Sequence, residues 1–130
     1  MSSGNHGTVA GSTTDFQIIN GGGSAPNATE NNRVVGMGKA GTVQNMCASI
    51  VGNQPAGGTL TFTFRDATAA SNSSVTVSFA ASATGPATLC DTTHTATITA
   101  NHEYDIQIVN GSGSTSATIG SITADYYPNY

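Results

Sequence analysis

The chain has 130 residues and ten formal charges: Lys39, Arg33 and Arg65 against seven carboxylates, a net charge of −4. Charged residues make up 8% of it, where an ordinary soluble domain has about a quarter. Three scattered cations build no nucleic-acid patch, no apolar run nears the roughly 18 residues of a membrane span, and the length fits one core rather than two.

Leu, Ile, Val and Phe together number only 22, a level that often signals disorder. Disorder also calls for high net charge and little β-branching, and here Thr, Val and Ile are abundant. Residues 1–14, Met1-Ser-Ser-Gly-Asn-His-Gly-Thr-Val-Ala-Gly-Ser-Thr-Thr14, lack the basic and apolar regions of an export signal. They read as a flexible or extended arm, with Val9 as its one apolar anchor, ahead of a single domain at 15–130. A chain rich in Thr, Ser, Asn and Gly, poor in Lys and without an export signal suits a virion component, assembled inside a host and working after release.

Asp15–Asn20 and Arg33–Met37 are candidate strands around one long loop at 20–32. Thr42–Val51 is the next, ending at the turn Gly52–Gly58. Leu60, Phe62 and Phe64 then alternate with Thr61, Thr63 and Arg65, and Val75, Val77 and Phe79 alternate with Ser74, Thr76 and Ser78. Such period-two patterns put one strand face in the core and one in water. Thr suits the wet face because its branched Cβ fits a pleated strand and its hydroxyl tolerates solvent. After turns at Ala70–Ser73 and Ala83–Pro86, His94, Ala96 and Ile98 form a further half-buried strand. Tyr104, Ile106 and Ile108 form another beyond Ala100–His102, and Ala117–Tyr127 follows the Asn110–Ser114 turn. No stretch has helical periodicity. About eight strands with turn signals between them predict an all-β, antiparallel jelly-roll sandwich.

Cys47 and Cys90 have no zinc-like spacing to other Cys or His. Assembly in a reducing cytosol predicts two small buried thiols, and a disulfide remains open if their strands are neighbours. Asp91 and His94 resemble part of a hydrolytic triad, but no Gly-x-Ser-x-Gly elbow accompanies them. Asp91-Thr92-Thr93 is better read as an Asx turn that satisfies backbone donors before the next strand, with His94 partly buried at that strand's start. Glu103 and Asp105 share one strand face, where two carboxylates can recruit a hard cation. With no oxygen cage in view, they are expected as solvated carboxylates and no metal site is assigned. Three N-x-S/T sequons, at Asn27, Asn72 and Asn110, match the roughly three that chance supplies in so Ser/Thr-rich a chain. No catalytic residues and no cofactor are predicted.

Gly41–Asn45, Leu60–Arg65, Cys90–His94 (Cys-Asp-Thr-Thr-His) and Asp105–Val109 follow one another in an order and spacing that resembles a phage virion jelly-roll module. That module is similar to the trimeric tumour-necrosis-factor-like heads of capsid decoration and fibre proteins. The resemblance covers about two thirds of the chain and departs at Ala100-Asn-His-Glu103, where the family has Ala-Ala-Gly-Asp. It implies a compact homotrimeric head and brings no catalytic residues. A lone head without a shaft points to a capsid decoration (cement) protein on the capsid exterior of a tailed phage, trimerising and bridging major capsid subunits. The alternative is the receptor- or glycan-binding head of a fibre, or a bacterial surface adhesion module.

The tail Asp125-Tyr-Tyr-Pro-Asn-Tyr130 holds three of the four tyrosines. Tyrosine buries area while keeping a polar tip, so Tyr126, Tyr127 and Tyr130, with Val9 of the arm, are the candidate interface residues.

Overall fold

The computed structural model describes residues 1–3, 7–19 and 25–130. The chain is an all-β sandwich of two antiparallel sheets. Among the described residues ten strand segments build it: β1 (Ser2–Ser3), β2 (Gly7–Val9), β3 (Thr13–Gln17), β4 (Val35–Met37), β5 (Gly41–Ile50), β6 (Leu60–Asp66), β7 (Ser71–Phe79), β8 (Ala87–Ile98), β9 (His102–Asn110) and β10 (Ala117–Pro128). One 3-10 turn, Glu30–Asn32, interrupts the β3–β4 connection.

In the first sheet the order is β1–β10–β5–β8, with β2 also on β10; in the second it is β3–β9–β6–β7, with β4 also on β9. The alternating positions read from the sequence meet between the sheets. Phe62, Phe64, Val75, Val77, Phe79, Ile106 and Ile108 come from the second, and Val43, Met46, Ala48, Ile50, Ile119 and Ile122 from the first. Phe64 stacks on Tyr104 with ring centroids 5.3 Å apart, and Phe62 meets Phe79 edge-on at 6.1 Å. Removing this apolar area from water is the main stabilising term.

The described parts of 1–14 lie within the sandwich rather than outside it, so the division between an arm and a domain at 15–130 is corrected. Ser2 and Ser3 pair with Thr123 and Ile122, Gly7–Val9 with Ile119–Ala117, and Thr13 and Thr14 with Asn110 and Val109. Val9 is fully buried. Its carbonyl accepts from the side chain of Asn110, a buried residue whose amide also reaches the carbonyl of Thr115. Residues 4–6, and residues 20–24 of the loop at 20–32, fall outside the described residues.

Two further expectations change. Cys47 and Cys90 lie directly opposite each other on β5 and β8 and form a disulfide, with Cα atoms 4.0 Å apart. The cysteines are also not core residues: both point to the outer face of the first sheet, Cys90 into solvent. β8 begins at Ala87, well before the strand start expected near His94. The Asx turn at Asp91 is a bulge inside that strand: Met46 pairs with Asp91 and Gln44 with Thr95, so residues 92–94 oppose Asn45 alone. Asn45 takes a positive φ of 53° there, a conformation Asn tolerates better than most residues.

Candidate interaction surface

The chain's few charges are unevenly placed. Asp15, Arg65, Asp66, Glu103 and Asp105 sit on strands of the second sheet, and Glu30 and Arg33 on the segment between β3 and β4. Only Asp91 and Asp125 belong to the first sheet, and Lys39 lies in the loop before β5. Asp91 is buried, and Asp125 accepts a hydrogen bond from the side-chain amide of Asn45 at 2.9 Å. The outward face of β10 and β5 is therefore charge-poor around the disulfide, with neutral hydrogen-bonding groups at Thr42, Gln44, Ser49, Ser121 and Thr123 and one exposed carboxylate, Asp125. Ser49 and Ser121 bond each other across the strands.

The tail runs along the same sheet. Tyr126 turns toward the core, partly buried, and its hydroxyl donates to the carbonyl of Lys39 at 2.8 Å. Gly41 allows this approach: a Cβ there would sit 2.7 Å from the Tyr126 ring. Tyr127 is 52% exposed and Tyr130 fully exposed, with the Lys39 ammonium 4.8 Å from the Tyr130 ring centre, in cation–π range. Of the four candidate interface residues, then, Tyr127 and Tyr130 present free surface and Tyr126 is mostly committed to its own fold. Val9 is corrected, because a side chain sealed inside its own sandwich has no surface to offer a partner. Beside the tail, Met1, Met37, Lys39, Tyr126 and Pro128 line an apolar groove of about 480 Å³.

Among the described residues there are two His–Asp pairs. Asp91 accepts from the backbone N–H groups of Thr76, Thr93 and His94 and from the Thr93 hydroxyl, and its Oδ2 lies 2.9 Å from His94 Nδ1. Burial works against the charged form, but these donors hold its carboxyl far below the usual range. His94 is 55% exposed in its side chain rather than partly buried, and the same Nδ1 faces both Asp91 and the Thr93 hydroxyl. A catalytic relay uses the two ring nitrogens for its two partners, so Asp91 and Thr93, both on Nδ1, are not the two ends of such a relay, and the contacts orient the turn. In the second pair, His102 Nδ1 lies 2.8 Å from Asp66, which also accepts from the Ala69 N–H. Despite some burial, those contacts and the Tyr104 hydroxyl lower the Asp66 carboxyl's affinity for a proton.

Glu103 and Asp105 do share the outward face of β9, but only Glu103 is exposed. Asp105, expected as a solvated carboxylate, is fully buried, and neither of its oxygens has an N–H or O–H donor in reach. Its neighbours are Arg65, its register partner on β6, and Glu30, which forms a 2.6 Å ion pair with Arg65. Burial first, and the Glu30 charge second, push the Asp105 carboxyl up to about 8 against the opposing pull of Arg65. Among the described residues, no three His, Cys, Asp or Glu side chains converge as a metal site.

In comparison with known protein families, curated proteins and solved structures, nothing matches this chain.

Proposed function

We propose that the chain is a structural protein of a virion, a capsid decoration (cement) protein of a tailed phage whose jelly-roll heads trimerise and bridge major capsid subunits. The observation that carries this reading is the charge-poor outer face of the first sheet. Packing such a face against identical neighbours or a shell desolvates few charges, so association costs little. The strand order supports a jelly roll: β1 with β2 and β3 with β4 each share one position, which leaves eight positions in two sheets, the number a jelly roll uses. The sequence motifs at Gly41–Asn45, Leu60–Arg65 and Cys90–His94 support the phage module. The solvent-facing disulfide fits service outside a reducing cytosol.

A subunit that binds only the assembled shell stabilises it by mass action. Imaging of particles that carry the protein tests the proposal. Density in groups of three between capsid subunits supports it, and density confined to the tail overturns it. The exposed rings of Tyr127 and Tyr130 favour a second reading, a glycan- or receptor-binding head, because exposed aromatics stack on sugars. Tail location, together with pull-down by host envelope polysaccharide, would establish that reading instead.

A further inference from the structure

The segment 25–34 is a strap across the edge of the second sheet, and it has little to hold it. None of its residues is buried. At one end Asn27 and Phe16 exchange backbone hydrogen bonds of 2.8 and 3.0 Å, and Pro26 lies against Gly7. Arg33 is spent within the strap, donating to the carbonyls of Ala25 and Asn32. Among the described residues, Glu30 is the only strap side chain with a hydrogen bond or ion pair to β6 or β9.

Glu30 lands at a gap. β3 pairs with β9 as far as Ile106, and β4 takes over at Tyr104, so Asp105 sits where the edge of β9 is uncovered between the two. That carboxyl is fully buried. Two carboxylates and one guanidinium then share a largely covered site. Arg65 can compensate one negative charge, and it is turned to Glu30 and to the side-chain oxygen of Asn72. The remaining neighbours are neutral: β4 has no titratable residue, Asn72 bonds Gln107, and Asp15 on β3 pairs opposite Ile108, on the other face of the sheet. Glu103 is exposed two residues away on β9. A second negative charge at Asp105 has no counterion, whereas a proton on Asp105 gives the Glu30 carboxylate a donor.

We propose that residues 25–34 form a proton-held latch, in which a proton shared between Asp105 and Glu30 keeps the strap on the second sheet and its loss releases the strap. Mildly alkaline solution then exposes the uncovered edge of β9 and the strap itself while the rest of the sandwich stays folded. The site does not favour a divalent cation, because Arg65 already fills the cationic position.

Trypsin reports the strap directly, since Arg33 is one of only three tryptic residues in the chain. Cleavage after Arg33, followed by mass and expressed relative to Asp105→Asn at the same pH, should rise from pH 6.5 to pH 8 and level off above that, because release costs a proton throughout the interval between the free and the held carboxyl. The native-to-variant ratio should be more than about tenfold higher at pH 8.5 than at pH 6.5. Glu30→Gln should abolish the rise, because a charged Asp105 can then pair with Arg65. Equal rates at both pH values overturn the latch. The carboxyl carbon resonance of Asp105 in the unmodified protein is a check that needs no variant: a titration midpoint near pH 8 supports the proposal, and one below pH 5 overturns it. Stabilisation at pH 8.5 by Ca²⁺ that Asp105→Asn abolishes also overturns it, in favour of a cation site.

Discussion

Asp91 on β8 accepts the backbone N–H of Thr76 on β7 at 3.0 Å, so one carboxylate ties together the free edges of two different sheets. Ser74 reinforces the seam by donating to the carbonyl of Thr95. Replacing Asp91 by Ala orphans several part-buried donors at once and should cost about 3 kcal/mol in denaturant unfolding. His94→Ala, which removes an exposed ring from the same carboxylate, should cost far less.

The pH dependence of stability follows from Asp91 and Asp105 with opposite signs. Asp91 is more acidic folded than unfolded, so its contribution is present above about pH 4 and is lost as pH falls below that. Asp105 is less acidic folded, so its contribution is full below about pH 4 and declines as pH rises, levelling off above about 8. Stability against urea should peak near pH 4 to 5. Asp105→Asn should flatten the alkaline limb and make the protein ~2 kcal/mol more stable at pH 8.5. A native chain equally stable at pH 5 and pH 9 would contradict this assignment.

Reduction should matter although the disulfide lies outside the core. Joining Cys47 to Cys90, 43 residues apart in sequence, constrains the unfolded chain, an effect of about 4 kcal/mol in the chain-entropy description and commonly less when measured. Cys47→Ser with Cys90→Ser should lower the melting temperature, and added reductant should then change nothing further.

The N-terminal residues and the tail should respond differently to mutation. Val9→Ala removes methyl groups from the sealed interior and should cost about 2 kcal/mol, so deleting 1–9 acts first on folding and only through it on assembly. Tyr130→Ala should leave the melting temperature unchanged, since the ring is solvent-exposed. Under the proposed function it should weaken binding to particles.

The second sheet was more legible than the first. Leu60, Phe62 and Phe64, like Val75, Val77 and Phe79, alternate strictly, and their burial follows from period two alone. Thr88, Leu89 and Cys90 show no alternation because β8 is an edge strand, exposed on both sides, so its first half was invisible. Gly7–Val9 carries no local strand signal; its conformation comes from the edge of β10. The Asx role of Asp91 was readable from neighbouring residues, but its bond to Thr76 was not. In the sequence Asp105 groups with Glu103, its neighbour on one strand face, whereas burial and Glu30, far away in the chain, set its state in the fold.

Light scattering shows whether the charge-poor face of the first sheet is covered by copies of the chain, as proposed. Thr123, exposed on β10 opposite Cys47, is the residue to change, because Thr123→Arg puts a charge in the middle of that face without touching the core. A native protein with the mass of three chains and a folded, monomeric Thr123→Arg variant are the expected results. A native monomer, or a variant that remains trimeric, would contradict the proposal.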